Sequence, residues 1–508
     1  MERLPASSAL AQVQRRTRLP QAVAHADSQG GRAVWPLYHD FDLSDLRACL
    51  FRPFGIGLPP NGPPVAQGLQ TVSEQNQFIS IPTLGECRFA SPLRRSRTPG
   101  DGLGRFVPDD LFVRHELHVA RGEPCLGDML FEKAGAREKL FFDPPKTRAA
   151  IVTCGGLCPG LNNVIRSAFL ELYRNYGVPE VLGVRYGYSG LATDAIEPPV
   201  RLTPEIVDTI HEEGGTILGT SRGEQDVGSM VDFLVARQID ILFCVGGDGT
   251  QRGAHEIHRE IARHGLKIAV VGIPKTIDND ILFSEQSFGF ITAIDEADDV
   301  LRGAHMEARG AYNGIGLVKV MGRDAGFIAA GATLSSQEVN FTLIPEVPFA
   351  LDGPGGFLAA LKERLDRRHH ALIVVAEGAG QNLFDNSIEL RDASGNRLHQ
   401  NIGLLLMKRI LDYFDGLDMP VALKYIDPSY IIRSVQANCE DAILCDQLAR
   451  RAVHAGMAGK TDLLVTSWHR KFIHVPIPMA IERRQCIDPE GDLWSLVLGA
   501  TGQPARFV

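Results

Sequence analysis

Short apolar runs that end in glycine or polar residues recur along the middle of the chain. Residues 149–154 read Ala-Ala-Ile-Val-Thr-Cys, end at two glycines and precede a helix-like stretch at 164–173. Similar runs at 241–245 and 268–273 end at Gly-Gly and at Pro-Lys. Fully apolar strands that alternate with helices are typical of a parallel sheet covered on both faces. The pattern therefore predicts a doubly wound α/β unit.

The same pattern returns beyond residue 300. Apolar runs at 315–321 and 371–376 again end in polar residues or glycine, and residues 441–457 have the pattern of a helix. The absence of short repeats and heptads excludes solenoids and coiled coils. We predict an α/β chain of two Rossmann-like, doubly wound domains with an irregular N-terminal extension. Ligands of such sheets bind at the carboxyl ends of the strands.

The predicted organisation has five parts. Pro, Gly, Gln and Arg dominate the beginning of the chain without sustained periodicity, which favours disorder. Apolar clusters then return among turns, which favours a packed but irregular segment. The predicted parts are a largely disordered arm at 1–75, an N-terminal extension at 76–145, a first α/β domain at 146–300, a second at 301–440, and a C-terminal helix and tail at 441–508 that pack back on the first domain.

Composition and charge exclude several functional classes. The chain has 61 Asp and Glu against 52 Lys and Arg, which argues against broad binding to nucleic acid or an anionic membrane. No apolar run approaches the ~18 residues of a membrane span. The nine cysteines lack the paired spacing of a zinc site, and we interpret them as reduced thiols in a cytosolic protein. Arg15, Arg16 and Arg18 resemble a transit peptide only weakly, and we favour a disordered basic arm.

Glycine turns follow two of the predicted strands. Residues 155–162 join a strand to a helix, and glycine there lets backbone N–H groups approach a phosphate. A tight connection that binds nothing explains this motif about as well. Residues 246–250 read Gly-Gly-Asp-Gly-Thr, and a carboxylate between glycines can hold hydrated Mg²⁺ against phosphate oxygens. Asp248 is therefore the metal candidate, because a helix-capping aspartate does not explain three glycines around one acid.

A dense polar cluster follows the next strand. Residues 274–280 read Pro-Lys-Thr-Ile-Asp-Asn-Asp, and so many acceptors beside one cation are costly to hold together unless they bind something. Residues 321–323, Met-Gly-Arg, follow a strand of the second domain. With the three motifs in this order, residues 146–465 resemble the phosphofructokinases. NAD kinases and lipid kinases share Gly-Gly-Asp-Gly-Thr but not the later two motifs.

The resemblance implies an activity with defined substrates. ATP-dependent members transfer the γ-phosphate of ATP to the 1-hydroxyl of fructose 6-phosphate with Mg²⁺, which gives fructose 1,6-bisphosphate and ADP. The first domain would bind nucleotide and magnesium, and the second would bind the sugar phosphate. A homodimer or homotetramer is implied as well. We expect a cytoplasmic enzyme that binds neither nucleic acid nor a membrane.

Site residues follow from the resemblance, position by position. Asp278 would be the catalytic base for the sugar hydroxyl and, at the ordinary aspartate pKa of ~3.9, ionised at neutral pH. Lys275 and Arg323 would stabilise charge on the transferring group. The phosphoryl-donor site would comprise Gly155, Tyr188, Arg222, Gly223, Gly247, the magnesium ligand Asp248, Gly249 and Thr250. The fructose 6-phosphate site would comprise Thr276, Ile277, Asp278, Met321, Gly322, Arg323, Glu377, Lys424, Tyr430, Ile431, Ile432 and Arg433.

Two positions bear on the phosphoryl donor, and they disagree. Gly249 leaves room for a nucleotide, whereas pyrophosphate-dependent members carry aspartate there, and Lys275 is the residue type of the pyrophosphate-dependent enzymes. An acid at 249 would repel a nucleotide phosphate, while a lysine at 275 is compatible with either donor. The combination resembles the plant and kinetoplastid ATP-dependent branch, so we predict ATP. A pyrophosphate-dependent enzyme and a non-catalytic regulatory subunit are the alternatives; intact Asp248 and Asp278 argue against the second.

One position departs from the bacterial regulatory enzymes. Gly314 stands where they carry an arginine that reaches across a subunit interface to the sugar phosphate. Because glycine offers no charge, sharing of the 6-phosphate site in the bacterial manner is in doubt. Within the chain, the resemblance assigns the 6-phosphate to Lys424, Tyr430 and Arg433.

Overall fold

The computed structural model describes residues 77–118, 128–223, 225–384 and 399–508. The predicted disordered arm at 1–75 lies outside the described residues. The predicted extension is described from its second residue onward, apart from 119–127.

The strands of the described residues are mostly short at the beginning of the chain and longer in the middle. In chain order they are β1 (Gln77–Ile79), β2 (Phe89–Ala90), β3 (Arg95–Ser96), β4 (Gly104–Arg105), β5 (Phe112–Arg114), β6 (Met129–Glu132), β7 (Lys139–Leu140), β8 (Arg148–Thr153), β9 (Glu180–Val184), β10 (Val200–Arg201), β11 (Ile241–Gly246), β12 (Ala269–Pro274), β13 (Gly314–Val320), β14 (Phe341–Leu343), β15 (His370–Ala376), β16 (Ala422–Ile426), β17 (Leu463–Trp468) and β18 (Lys471–Pro476).

The α-helices of the described residues follow the strands as the apolar pattern predicts. They are α1 (Leu161–Leu170), α2 (Val227–Ala236), α3 (Asp248–Arg263), α4 (Phe290–Gly310), α5 (Phe327–Ser336), α6 (Phe357–Arg368), α7 (Ile402–Asp415), α8 (Ser429–Ile432), α9 (Cys439–Met457), α10 (Ile477–Ala480) and α11 (Asp492–Thr501). Side-chain oxygens of Asp226, Asn401 and Asn438 cap the N-termini of α2, α7 and α9, which satisfies backbone donors that a helix start leaves free.

The first large sheet has the strand order β10-β9-β8-β11-β12-β17-β18. Its inner strands are parallel, and the edge strands β10 and β18 pair antiparallel. Alternate side chains of a strand point to opposite faces, so Phe243 joins one hydrophobic core and Leu242 the other. Helices cover both faces, which explains why β11 and β12 are apolar throughout and fully buried.

The second large sheet has the order β14-β15-β13-β16, and all its strands are parallel. α4 leads from the first sheet to β13, so the predicted domain boundary between residues 300 and 301 falls inside this helix. Gly314 begins β13, and a Cβ on it would lie 2.0 Å from the Ala308 carbonyl oxygen. A side chain therefore does not fit at this position.

The C-terminal segment packs on both sheets. β17 and β18 complete the first sheet, and α9 packs on α1. α11 lies against α5 of the second sheet instead, and the Gln503 amide pairs with the backbone of Thr342 in β14. The apolar residue Trp494 is buried in this contact, so the end of the chain belongs to the second sheet. The two-sheet α/β fold with an irregular extension is confirmed.

A buried ionic cluster anchors the extension to the first sheet. Glu132, at the end of β6, accepts hydrogen bonds from the Lys460 ammonium at 2.8 Å and His474 Nδ1 at 3.2 Å, and it also pairs with Arg137. Burial opposes the charged form, but His474, Lys460 and Arg137 together outweigh burial and lower the pKa of Glu132. We call Glu132, Arg137, Lys460 and His474 the anchor cluster.

Candidate active site

The loops that follow three strands of the first sheet lie side by side at one edge of that sheet. β8, β11 and β12 are parallel neighbours, so the residues after Thr153, Gly246 and Pro274 leave their carboxyl ends side by side. Residues that follow β13 of the second sheet, Met321 and Arg323, border the same space, a cleft of about 970 Å³. Two bound substrates can therefore meet between the sheets.

Most of the predicted site residues line this cleft. All eight predicted donor-site residues do so, and so does Lys275. The predicted acceptor-site residues that line it are Thr276, Ile277, Asp278, Met321, Arg323, Glu377, Tyr430 and Arg433. The cleft therefore brings the two predicted sites together.

Four predicted residues lie outside the lining. Gly322 shapes a turn instead: its φ is +129°, and its carbonyl accepts a hydrogen bond from the Gly378 N–H at 3.0 Å. Ile432 is buried in the core, whereas Ile431 and Lys424 are exposed. For Ile431 and Ile432 the reason is helical geometry: Tyr430 and Arg433, three positions apart at α8 and its C-cap, share the face that lines the cleft, and the two isoleucines lie between them.

The glycine motif forms the start of α3, with Asp248 as the first helical residue. Close packing requires glycine at 246, where a Cβ would lie 2.2 Å from Thr250 Oγ1. At Gly249, by contrast, a Cβ would meet no atom within 4 Å, so the cleft is open there. The free N–H groups and dipole of a helix start attract phosphate.

Three cations converge beside Gly156. The Lys275 ammonium donates a hydrogen bond to the Gly156 carbonyl at 2.7 Å. A Cβ on Gly156 would lie 3.2 Å from Arg222 Nη2 and 3.4 Å from Arg433 Nη1. Burial lowers the pKa of Lys275, and both arginines act in the same direction. We call Arg222, Lys275 and Arg433 the cationic cluster, and such a cluster favours an anion with several charges.

Tyr188 packs against the first turns of α3. Its hydroxyl donates a hydrogen bond to the Thr250 carbonyl at 2.6 Å, and its ring would lie 2.6 Å from a Cβ on Gly253. The side chain is 9% exposed, so only a small part of the ring borders the cleft. A residue larger than glycine at position 253 would therefore clash with the Tyr188 ring, which packs against α3 at this point.

Asp278 lies at the junction of the two sheets. Its Oδ2 accepts a hydrogen bond from the Arg323 N–H at 3.3 Å, while Oδ1 is buried and has no hydrogen-bond partner within the described part of the chain. Burial, then the nearby carboxylates of Asp280 and Glu377, raise the pKa of Asp278 to about 7. The expectation that this aspartate keeps its ordinary pKa is therefore wrong. A carboxyl with this pKa and a free oxygen suits a general base.

On the acceptor side, two loops of the second sheet are held close together. The Glu377 N–H donates to the Val320 carbonyl at 3.0 Å, and a Cβ on Gly378 would lie 1.8 Å from the Arg323 carbonyl oxygen. Burial raises the pKa of Glu377. These contacts fix Glu377 and Arg323 on the same side of the cleft.

Some cleft residues were missed by the sequence analysis. They include Arg252, Lys319, His399, Asn401, Asp427, Ser429 and Arg484. Lys319 carried a signal, because it is the one charged residue in the apolar strand β13; its ammonium pairs with Asp427 at 2.8 Å. Arg484 follows β18, far along the chain from the other motifs, and no local pattern marks it.

The arrangement is typical of a phosphoryl transferase: a glycine-rich helix start and a cationic cluster face a buried carboxyl base. The sequence profile named Phosphofructokinase matches residues 148–456. The chain belongs to the phosphofructokinase family.

Several relatives share most of the chain. It is 48% identical over 440 residues to the ATP-dependent 6-phosphofructokinase of Borreliella burgdorferi, covering 85% of this chain and 98% of the relative. It is 46% identical to the enzyme of the same name from Amycolatopsis methanolica, covering 84% of this chain and 95% of that one. A similar fold occurs in the pyrophosphate-dependent phosphofructokinase of Marinobacter aquaeolei, with a TM-score of 0.56, 19% identity, and coverage of 67% of this chain and 86% of that one.

Relatives from plants and kinetoplastids are also similar. The chain is 44% identical to the ATP-dependent 6-phosphofructokinase of Trypanosoma cruzi, covering 76% of this chain and 78% of that one. It is 45% identical to the relative named ATP-dependent 6-phosphofructokinase 5, chloroplastic, of Arabidopsis thaliana, covering 77% and 74%. The predicted resemblance to this branch is confirmed.

Proposed function

We propose that this chain is an ATP-dependent 6-phosphofructokinase, which transfers the γ-phosphate of ATP to the 1-hydroxyl of fructose 6-phosphate. The observation that carries the proposal is one cleft in which the open start of α3, the cationic cluster and the carboxyl base Asp278 meet. The names of the relatives at 44% to 48% identity support ATP as the donor.

The donor phosphates would lie at the start of α3. The N–H groups there and the cationic cluster supply positive potential, and open space at Gly249 admits the nucleotide. Because the Lys275 ammonium is already held by the Gly156 carbonyl, it needs little reorganisation when charge develops on the transferring group. Arg222, whose Nη2 would lie 3.2 Å from a Cβ on Gly156, would contact the phosphates as well.

Asp278 would accept the proton of the sugar 1-hydroxyl through the free oxygen Oδ1. The hydroxyl oxygen then forms a bond to the γ-phosphorus, and the bond from this phosphorus to the bridging oxygen of ADP breaks. ADP leaves with the electron pair of that bond, and the proton stays on Asp278 until solvent removes it. The Arg323 backbone, which holds Oδ2, keeps the carboxyl oriented.

The sugar phosphate would be held by residues from the second sheet. Glu377 would accept hydrogen bonds from sugar hydroxyls. The Arg433 guanidinium stacks over the Tyr430 ring at 4.6 Å, which fixes the side chain for a phosphate ligand. Lys424 lies outside the lining in this chain, so its predicted contact with the 6-phosphate stays a prediction.

Magnesium is also part of the proposal. Within the described residues, no three His, Cys, Asp or Glu side chains are placed to hold a metal ion. Mg²⁺ binds well through one or two carboxylates, phosphate oxygens and several waters, so the single carboxylate of Asp248 in the cleft fits this ion. When bound, the ion would neutralise charge on the donor phosphates. Arg252 pairs with Asp248 at 3.2 Å and holds the carboxylate beside the cleft.

The test is production of fructose 1,6-bisphosphate by the purified protein, with ATP and pyrophosphate supplied in parallel with Mg²⁺. Activity with ATP and not with pyrophosphate is expected. Activity with pyrophosphate alone would mean that Lys275 sets the donor and would overturn the proposal, and activity with neither would favour a regulatory subunit.

Assembly and location are further proposals. No helix in the described ranges is long and apolar enough to cross a membrane. We propose a homodimer or homotetramer, which sedimentation velocity would test. A cytosolic location stays a prediction, and imaging of the full chain fused at its C-terminus would separate it from the chloroplastic location named for some plant relatives.

A further inference from the structure

The segment that follows α10 reaches the reacting groups of the first sheet. The Gln485 N–H donates a hydrogen bond to the Asp280 carbonyl at 2.9 Å, and Arg484 forms an isolated antiparallel bridge with Ile281. The family profile ends at residue 456. These contacts with the loop after β12, which carries Asp278, therefore come from a part of the chain that the profile does not cover.

The same segment also contacts the second sheet. Cys486 Sγ donates to the Asp324 carbonyl at 3.5 Å, directly after Arg323. The Ile487 N–H donates to Glu346 Oε1 at 2.9 Å, and Glu346 accepts from the Gly326 N–H at 2.9 Å as well. The segment therefore ties the loop after β12 to the loop after β13, and these two loops hold Asp278.

Arg484 places a positive charge between these loops. Its Nε lies 3.8 Å from Asp280 Oδ2, and its Nη1 pairs with Asp324 Oδ2. The side chain is 27% exposed and lines the cleft. A guanidinium can serve two carboxylates at once because its donors form a fixed fork.

We propose that Arg484 is a positioning residue for phosphoryl transfer, which bridges Asp280 and Asp324 and balances their charge beside the base Asp278. The proposal rests on the proposed function. Arg484 would act through Asp278, not on the substrates.

The charges that face Asp278 explain the expected effect. Asp280 and Glu377 favour its protonated form, whereas the Arg323 N–H and the Arg484 guanidinium favour the carboxylate. Lys275, on the same loop, adds a further cation at the cleft. Loss of the Arg484 charge would leave the neighbouring carboxylates unbalanced, so a larger fraction of Asp278 would hold a proton at neutral pH. Only the deprotonated form can accept the sugar proton.

The experiment compares pH profiles of kcat/KM for fructose 6-phosphate, at saturating MgATP, in the full chain. For Arg484→Gln we expect the acid limb to move to higher pH by roughly 0.5 to 1 unit, less than the ~1 to 3 units that an opposite charge in direct contact with a carboxyl produces. The rate at pH 6 then falls roughly three- to tenfold more than the rate on the plateau. The acid limb of Arg484→Lys, which keeps the positive charge, should lie between those of the wild type and Arg484→Gln.

Two further variants separate charge from structure. Asp324→Asn removes a carboxylate and should move the limb to lower pH, and Arg484→Gln with Asp324→Asn should lie near the wild type. Arg483→Gln is the matched control, because Arg483 is exposed and is the preceding residue. It should leave the profile unchanged.

The outcomes are distinct. Wild type without activity overturns the proposed function, whereas active wild type with the same limb in all variants overturns the role of Arg484. An equal loss of rate at every pH in Arg484→Gln would show a structural role only and also overturn it. If Arg484→Gln does not fold, the proposal is decided by the other two variants: the acid limb should move to higher pH in Arg484→Lys and to lower pH in Asp324→Asn, and no shift in either would overturn it.

Discussion

At the scale of single residues, few groups of the described chain hold the proposed base Asp278. The Arg323 N–H donates to one oxygen, and the other oxygen has no hydrogen-bond partner among the residues that the structure describes. Burial, and then repulsion from the carboxylates of Asp280 and Glu377, raises the pKa of Asp278 to about 7, which suits a base that acts near neutral pH. The motif could predict the identity of this residue, but not its pKa, because Glu377 approaches it only through the fold.

Replacing Asp278 by asparagine removes the base without changing its shape. The asparagine oxygen can still accept from the Arg323 N–H, so we expect fructose 6-phosphate binding to change modestly. Turnover should fall by roughly 10²- to 10⁴-fold, the usual contribution of general-base assistance. Coupled-enzyme kinetics and titration calorimetry measure the two quantities. Unchanged turnover would remove Asp278 from the mechanism.

The pKa of Asp278 also predicts a pH dependence. Burial and the carboxylates of Asp280 and Glu377 raise the pKa to about 7, and only the ionised form accepts a proton. The rate should therefore rise with pH through about 7 and reach a plateau above it. Fructose 6-phosphate titrates near pH ~6 as a phosphate ester, so its affinity is measured separately across the range. A rate that is flat from pH 6 to pH 8, a window of about one unit either side, would contradict the raised pKa.

At the scale of elements, the start of α3 forms the proposed donor side of the cleft. Glycine at 246 is required by the contact with Thr250, whereas Gly249 faces open space. The two glycines of this motif therefore have different roles: Gly246 permits close packing against Thr250, and Gly249 leaves space in the cleft. The role of Gly249 therefore concerns the bound ligand and not the stability of the fold.

Replacing Gly249 by aspartate should therefore be tolerated by the fold and opposed by the nucleotide. Repulsion between a carboxylate and the donor phosphates predicts a fall in kcat/KM for ATP of at least about tenfold. Gly249→Ala is the matched control: a methyl group meets no atom within 4 Å, so ATP kinetics should change little. Equal effects of both variants would mean that space and not charge matters at this position.

The elements could be predicted from the sequence to different degrees. β11 and β12 are apolar throughout and end in motifs, so both strands and the residues after them were predictable. The contact of residues 484–487 with two loops was not, because the hydrogen bonds join residues more than 100 positions apart. The position of Lys424 outside the cleft lining was not predictable for a similar reason: the direction of its side chain depends on the register of β16 with β13.

At the scale of the whole molecule, the extension and the first sheet are joined by the anchor cluster. Lys460 and His474 come from the C-terminal segment, while Glu132 and Arg137 come from the extension. A buried carboxylate with several partners is costly to leave unpaired and strongly held when paired. The cluster therefore makes the stability of the chain depend on a contact remote from the cleft.

Replacing Glu132 by glutamine should lower the free energy of unfolding by about 3 kcal/mol, because Lys460 and Arg137 would stay buried with only the exposed Asp109 as an acidic partner. Urea denaturation followed by tryptophan fluorescence measures it, since the Trp468 indole donates to the His115 carbonyl of the extension. Glu138→Gln is the control: its pair with Arg97 is about half exposed, and its loss should cost about 0.5 kcal/mol or less.

The pH dependence of this difference gives the sharper test. The folded pKa of Glu132 lies below that of a free glutamate, so its contribution to stability is complete above the unfolded pKa of ~4.3 and declines as pH falls below it. The difference between wild type and Glu132→Gln should therefore be constant above about pH 5 and shrink in more acid solution. A difference that is independent of pH down to pH ~3 would mean that packing, and not the charge of Glu132, holds the extension in place.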